Sequence, residues 1–142
     1  MIRISKRLLD EMIEHLKGEQ PNEGCGILAG RDGEVKKIFK MTNTDASPYS
    51  YLADPREQIK AMKEMRRLNL EMVGIYHSHP STPAYPSQRD IEMAFYPEAC
   101  YVIVSLQNPE APQVRAFRIE EGKVKEEKIM IGGDEDGDLN KA

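Results

Sequence analysis

The sequence predicts an α/β protein in which helices flank a mixed β-sheet. Short apolar runs with strand character alternate along the chain with stretches whose apolar residues recur at helical spacing. Near the end, two further strand-like runs meet at Glu121-Gly122, a turn signal that favours a terminal hairpin. At 142 residues the chain is long enough for one domain with a substantial core.

The first helix is predicted by an apolar stripe that follows the short strand "MIRI". Ser5 is a suitable N-cap for this helix, and Gly18 is placed to end it. The stripe consists of Leu8, Leu9, Met12, Ile13 and Leu16. We expect the helix to pack this stripe against the sheet.

The next elements are a hairpin and a second helix. "CGILAG" is typical of a short buried strand, and Asp32-Gly33 favours a tight turn into the strand "EVKKIFKM". After the polar loop "TNTDASPYSY", Asp54 is a suitable N-cap, with Pro55 at the first helical position and Glu57 at the third. The apolar face of this second helix is predicted to contain Ile59, Met62, Met65 and Leu68.

Two strands of the second half are expected at the centre of the sheet. "EMVGIYHSH" and "YVIVSL" are almost entirely apolar, as is typical of strands that are covered on both faces. A short helix is predicted between them, from Ser87 to Phe95, and "VRAFRIEEGKVKEEKIMI" is predicted to form two strands. Residues 1–131 are thus predicted to form the domain, and residues 132–142 a flexible acidic tail.

Charge and composition exclude several kinds of partner. The net charge is -4, and the last eleven residues, "GGDEDGDLNKA", hold four acids and one lysine, so the rest of the chain is close to neutral and has no basic stripe. No stretch has the roughly 18 apolar residues that spanning a membrane requires, and no signal-peptide pattern is present. We therefore expect a cytoplasmic protein that binds neither nucleic acid nor membrane. Cys25 and Cys100 are expected to be reduced thiols.

The stretch "HSHPSTPAYPSQRD" contains two of the three histidines of the chain. His77 and His79 are two residues apart on an extended segment, so both side chains point to the same side. Two imidazoles and a carboxylate, with a fourth position left to water, form a catalytic zinc site, and Asp90 is the natural third ligand. Ser87 and Asp90 also fit a capping box, which would stabilise a helix start without any chemistry.

Hydrolysis at such a site also needs a carboxylate that accepts a proton and returns it to the leaving group. Spacing alone leaves three candidates: Glu23, Glu71 and Glu92. Glu23 is favoured because "PNEGCGILAG" places it beside glycines at a strand edge, where backbone and substrate can approach closely.

Together these residues resemble the JAMM (MPN+) metalloprotease family, whose pattern is an upstream glutamate followed by H-x-H-P-x(6)-S-x(2)-D. The chain matches the pattern at Glu23, His77, His79, Pro80, Ser87 and Asp90. The resemblance implies a fold similar to that of cytidine deaminases, one zinc ion with a bound water or hydroxide, and hydrolysis of peptide or isopeptide bonds. It implies that His77, His79 and Asp90 bind the zinc. It also implies that Glu23 is the general base and then the general acid, and that Ser87 donates to the oxyanion.

The short chain without large insertions is most similar to the small prokaryotic members of that family. Those members process ubiquitin-like proteins and sulfur carriers that end in Gly-Gly, so the resemblance implies a partner of this kind. Two alternatives remain: a DNA-repair-associated branch that shares H-x-H-P and P-S-x-x-D, and a non-catalytic scaffold or interaction module of the same fold. The lack of an N-terminal helical extension disfavours the first alternative, and the complete ligand set disfavours the second.

Overall fold

The computed structural model describes residues 1–132, in which eight strands and three helices form an α/β fold, as predicted. The strands are β1 (Ile2–Ser5), β2 (Cys25–Arg31), β3 (Glu34–Met41), β4 (Glu71–His79), β5 (Cys100–Ser105), β6 (Gln113–Glu120), β7 (Lys123–Glu127) and β8 (Ile129–Gly132). The helices are α1 (Lys6–Gly18), α2 (Pro55–Arg67) and α3 (Gln88–Glu92). All eight strands form one mixed sheet in the order β7-β6-β5-β4-β2-β3-β1-β8.

The centre of the sheet consists of the two apolar strands that the sequence placed there. β4 pairs with β2 in antiparallel and with β5 in parallel orientation. Every residue of β5 is buried, and the second half of β4 is almost fully buried. Hydrogen bonds from both sides therefore fix the backbone of β4 as far as Ser78, and β5 pairs with His79 on one side.

The helices cover the two faces of the sheet. In α1, Ser5 caps the N-terminus by accepting a hydrogen bond from the Leu8 N–H at 3.2 Å, and the predicted apolar stripe packs on one face. In α2, Asp54 caps the N-terminus, but the Glu57 carboxylate accepts a hydrogen bond from the Thr42 hydroxyl at 2.8 Å. Glu57 thus ties α2 to the loop that precedes it.

The predicted apolar face of α2 is wrong at Ile59, which is 57% exposed. Ala61 and Met65 are the buried residues of this helix, and Met62 and Leu68 pack beside them. Ile59 precedes Ala61 by two residues, or about 200° around the helix, so it faces away from the sheet.

The last predicted strand divides into two. The hairpin at Glu121 and Gly122 forms with positive φ angles at both residues, but β7 ends at Glu127 and the chain continues as β8. β8 pairs in parallel with β1 at the opposite end of the strand order. Only Lys128 separates β7 from β8, so the sheet curls until its two ends are neighbours. Neither glycine nor proline marks this break, which explains why the sequence pattern did not reveal it.

Two further predictions need adjustment or lie outside the described residues. α3 covers only Gln88–Glu92, which is shorter than the predicted helix from Ser87 to Phe95. The predicted tail falls outside the described residues apart from Gly132, which is the last residue of β8. Within residues 1–132, none of the helices has the length and apolar character needed to cross a membrane.

Gly26 in β2 is required by the packing on the α1 face. It pairs with Tyr76 of β4, and a Cβ atom at position 26 would overlap the Tyr76 ring. Tyr76 is fully buried, and its hydroxyl lies 2.7 Å from Nδ1 of His15 in α1, so the ring has no room to move.

Gly26→Ala should therefore lower the free energy of unfolding by roughly 2–3 kcal/mol, because overpacking a buried site forces neighbouring groups to shift. Urea denaturation monitored by circular dichroism measures this change. Gly18→Ala is the matched control, since a Cβ at position 18 meets no atom within 4 Å and alanine favours the helix. Equal unfolding midpoints for Gly26→Ala and the wild type would contradict the packing described here.

Candidate metal centre

The two histidines lie at the end of β4 and point to the same face of the sheet. His77 and His79 are 1% and 4% exposed, and their Nε2 atoms are 3.2 Å apart. His77 pairs with Cys25 of β2 and with Ile103 of β5, so neighbouring strands hold the backbone on both sides. The rigid centre of the sheet therefore brings the two imidazoles together.

The short helix α3 brings Asp90 to the histidines. Ser87 caps this helix: its Oγ accepts from the Asp90 N–H at 3.1 Å, and its own N–H donates to Asp90 Oδ2 at 2.9 Å. The same Oδ2 atom lies 2.9 Å from Nε2 of His79 and 3.2 Å from Nε2 of His77. The capping box thus forms, and it shares one oxygen with the histidine cluster.

These three atoms have the spacing of ligands around one metal ion. Their separations of 2.9, 3.2 and 3.2 Å form a nearly equilateral triangle. Tetrahedral zinc with bonds of about 2.0–2.1 Å places its ligand atoms about 3.3 Å apart. Two imidazole nitrogens and a carboxylate oxygen are also a donor set that zinc accepts, so His77, His79 and Asp90 fit such an ion.

The hydrogen bond of the other His79 nitrogen strengthens this fit. Nδ1 of His79 lies 2.8 Å from the Pro83 carbonyl oxygen, which can only accept, so Nδ1 carries a proton. In the neutral ring, Nε2 then presents its lone pair to Asp90 Oδ2. Two electron pairs at this distance repel each other unless a cation, either a proton or a metal ion, lies between them.

The pKa values of the cluster reflect the same demand for positive charge. Burial opposes ionisation of Asp90, yet the charge of His77 and hydrogen bonds from both imidazoles and Ser87 hold the pKa of that carboxyl well below its usual range. Burial also opposes protonation of His79, but hydrogen bonds to Asp90 and Pro83 raise its pKa above the ordinary value. The carboxylate is therefore ionised and attracts a cation.

Glu23 lies beside this cluster, in the segment that leads into β2. The Ser78 N–H donates to the Gly24 carbonyl at 3.1 Å, which continues the β2–β4 pairing and places Glu23 alongside His79. Glu23 is 5% exposed, and burial raises the pKa of its carboxyl to about 8, a rise that the charge of His79 partly offsets. Its Oε1 atom is buried without a hydrogen-bond partner among the described residues.

The other two carboxylates that the sequence left open lie away from the cluster. Glu71 begins β4, six residues or about 20 Å of extended chain from His77, and accepts a hydrogen bond from the Asp32 N–H. Glu92 is exposed on α3 and pairs with Gln88. Of the three candidates, the structure brings only Glu23 to the histidines.

Tyr51 is a site residue that sequence reasoning missed. Its ring stacks on His77 with the centroids 4.5 Å apart and an interplanar angle of 25°. Burial raises the pKa of the Tyr51 hydroxyl well above its ordinary value. Tyr51 belongs to the loop between β3 and α2, and its position in a polar stretch gave no signal of contact with a strand far along the chain.

A groove of about 230 Å³ opens next to the cluster. Its lining includes Tyr51, Leu52, Ile75, Met93 and Phe95. Cys25, which pairs with His77, also borders this groove; burial raises the pKa of its thiol to about 12, and it is not among the clustered ligand atoms. The groove is therefore mainly apolar, and two of its lining residues, Tyr51 and Cys25, are direct neighbours of His77.

Comparison with known proteins identifies relatives of this chain. The family model described as prokaryotic homologs of the JAB domain matches residues 5–120. The CysO-cysteine peptidase of Mycobacterium tuberculosis is 39% identical over 126 residues, which cover 87% of this chain and 86% of the relative. A probable TtuB-protein conjugate cleaving protease of Thermus thermophilus is 41% identical over 124 residues, covering 87% and 79% of the two chains.

A solved structure has the same fold over nearly the whole chain. It is the solution structure of a protein from Desulfitobacterium hafniense, with a TM-score of 0.88 and 41% sequence identity. The match covers 96% of each chain.

Removal of a cluster residue should weaken metal binding. The metal-free protein is expected to bind one zinc ion, and His77→Ala or Asp90→Ala should lower the affinity by at least about 100-fold, because each change removes a donor atom. Competition titration with a chromogenic chelator measures both quantities. Glu92→Gln changes an exposed acid of the same helix and should keep the wild-type affinity. An unchanged affinity in either cluster variant would remove that residue from the ligand set.

Burial of Glu23 should make the stability of the metal-free protein fall with rising pH. Because its pKa is raised from 4.5 to about 8 on folding, the unfolded chain releases this proton first. The stability contributed by protonated Glu23 is complete below about pH 4.5 and is lost as the pH rises to about 8, on the order of 5 kcal/mol in all. Urea unfolding at about pH 5, 7 and 9 should show this loss in the wild type and not in Glu23→Gln. If the free energies of unfolding of the wild type and of Glu23→Gln changed with pH in the same way, a raised pKa of Glu23 would be excluded.

Proposed function

Because the chain belongs to the prokaryotic JAB-domain (JAMM/MPN) family, we propose that it is a zinc-dependent peptidase that cleaves after the C-terminal Gly-Gly of ubiquitin-like or sulfur-carrier conjugates. The observation that carries the proposal is the buried triangle of His77, His79 and Asp90 with Glu23 alongside. The relatives support the substrate class, since one is named for CysO-cysteine and another for conjugates of TtuB with protein.

In this proposal His77, His79 and Asp90 hold the zinc ion through Nε2, Nε2 and Oδ2. When bound, zinc acts as a Lewis acid and lowers the pKa of a coordinated water to about 7. Pro83 orients His79 through the 2.8 Å contact with Nδ1, and Tyr51 packs against His77. These contacts keep both rings aimed at one point, as a metal site of fixed geometry requires.

Glu23 is the proposed proton carrier. Its carboxyl is buried beside His79 and is not one of the clustered ligand atoms, so it is available to take a proton from the attacking water. Returning that proton to the leaving amine requires a pKa close to the working pH. In the metal-free protein, burial raises the pKa of Glu23 above its ordinary value, which is the direction that this step requires.

Ser87 is the proposed donor to the carbonyl oxygen of the scissile bond. Its Oγ accepts the Asp90 N–H, and a hydroxyl that accepts one hydrogen bond can still donate its own proton. The side chain is exposed next to Asp90, where a substrate can reach it. A donor aimed at the oxygen that gains negative charge stabilises the transition state.

The groove beside the cluster suits an extended tail. His77 is 1% exposed and Tyr51 packs on its ring, so we propose that a tail reaching the cluster passes through a confined space, which suits glycines because they have no side chains. Apolar residues further up the tail would pack between Leu52 and Phe95, which are 44% and 67% exposed.

We propose that the protein works in the cytoplasm, in keeping with the free thiols of Cys25 and Cys100.

The zinc-loaded protein should cleave a fusion in which a ubiquitin-like sulfur carrier precedes a reporter protein. Intact mass spectrometry should show one cut, directly after Gly-Gly. A tail that ends in Gly-Val is the matched control and should resist cleavage, because the valine side chain needs more room than the proposed confined path offers. Equal cleavage of both tails would contradict the proposed specificity.

Glu23→Gln should reduce kcat by about 100- to 10,000-fold while the protein retains one zinc ion, because the variant loses proton transfer and keeps the three ligands. Ser87→Ala should reduce kcat by about 100- to 1000-fold. Both rates are measured with the same fusion, and zinc content is measured by elemental analysis. Wild-type activity in Glu23→Gln would assign the proton transfer to a different group.

A further inference from the structure

Glu23 lies just outside the regular part of β2, so ordinary strand pairing does not hold its own backbone. A group that transfers protons must be held closely, because a misplacement of about 1 Å can cost about 100-fold in rate. The contacts around the Glu23 backbone therefore decide how well its carboxylate is placed.

Four successive backbone groups of Glu23 and Gly24 are hydrogen-bonded. The Glu23 N–H donates to the Ser47 carbonyl at 2.8 Å, and the Glu23 carbonyl accepts from Asn43 Nδ2 at 3.0 Å. The Gly24 N–H donates to Ser78 Oγ at 2.9 Å, and the Gly24 carbonyl accepts from the Ser78 N–H at 3.1 Å. Gly24 is thus fixed to the strand that carries both histidines, and Glu23 is fixed to the loop between β3 and α2.

Asn43 organises that loop. Its Nδ2 donates to the carbonyls of Glu23 and Ser50, at 3.0 and 2.9 Å. Its Oδ1 accepts from the N–H groups of Asp45 and Leu52, at 3.0 and 2.9 Å. Asn43 is only 9% exposed, and both donors and both acceptor positions of its amide are used. One side chain therefore joins the backbone of Glu23 to three points of the loop.

The same loop also contacts the other parts of the cluster. Tyr51 stacks on His77, and Asp45 lies 3.5 Å from Arg89, the neighbour of Asp90 in α3. A loop folded around Asn43 is thus in contact with the ring of one histidine, with the helix that carries Asp90, and with Glu23.

We infer that Asn43 is a positioning residue for the Glu23 carboxylate, a role that rests on the proposed function of Glu23 in proton transfer. Asn43 acts through the backbone of Glu23 and through the fold of the loop. Its amide supplies none of the three proposed ligand atoms, and it reaches the groove lining through the Leu52 N–H, a hydrogen bond that Asn43→Asp keeps. Its loss should therefore lower kcat and leave zinc binding intact.

Asn43→Asp is the informative variant. Aspartate has the same shape and keeps the acceptor for Asp45 and Leu52, but a carboxylate cannot donate to the Glu23 and Ser50 carbonyls. Asn43→Ala removes all four hydrogen bonds and serves as a second variant. Thr44→Val is the matched control, because it removes the hydroxyl contact with the Leu52 carbonyl in the same loop without touching Glu23.

With the Gly-Gly fusion as substrate, Asn43→Asp should lower kcat by about 10- to 100-fold, change KM by less than about threefold, and keep one zinc ion. Thr44→Val should match the wild type. A wild-type kcat in Asn43→Asp, or a raised KM with unchanged kcat, would overturn the inference, because the side chain would then serve only the loop or substrate binding. An inactive wild type would instead contradict the proposed function.

Amide hydrogen exchange in the metal-free proteins tests, independently of activity, whether Asn43 holds the backbone of Glu23 in place. The Glu23 amide should exchange faster in both Asn43 variants than in the wild type, and its rate should not change in Thr44→Val. Equal protection of the Glu23 amide in all four proteins would overturn the inference even if the wild type cleaves the fusion.

Discussion

Three electron-pair donors held about 3 Å apart in a buried pocket impose the central constraint on this structure. Nε2 of His77, Nε2 of His79 and Oδ2 of Asp90 cannot lie so close unless positive charge lies among them. The fold maintains this arrangement with rigid parts, since a central strand carries the histidines and a capping box orients the carboxylate. The donor atoms are therefore already assembled in the folded chain, so a cation can bind with little rearrangement of the protein.

The residues around the three donor atoms hold those donors in place. Pro83 and Tyr51 set the orientation of the two rings, and Ser78 joins the strand of the histidines to the segment of Glu23. Glu23 is desolvated there and is not among the clustered donor atoms, so the proposed proton carrier is separate from the proposed metal ligands. This division resembles the zinc hydrolases in general, where the general base lies beside the ligands rather than among them.

Much of this arrangement is visible in the sequence, because it depends on local patterns. Period-two spacing put His77 and His79 on one side of a strand, and the capping signature located Asp90 at a helix start. The apolar runs of β4 and β5 correctly indicated the centre of the sheet. Contacts that depend on tertiary packing were not visible: the stacking of Tyr51 on His77, the four hydrogen bonds of Asn43, and the rotation of α2 that exposes Ile59. Spacing alone left Glu23, Glu71 and Glu92 open, the glycines beside Glu23 favoured it, and the β2–β4 pairing is what places it next to the histidines.

The pairing of β1 with β8 gives this small protein an unusual folding problem. Ile2 of β1 pairs with Ile129 of β8, so almost the whole described chain lies between these two paired strands. Contacts between residues so distant in sequence carry a large loop-closure entropy and slow the folding of a domain. β1 pairs with β3 through a single residue pair, Arg3 with Glu34, and with β8 through four residue pairs. Most of the pairing that anchors β1 therefore depends on the contact with the greatest sequence separation in the sheet.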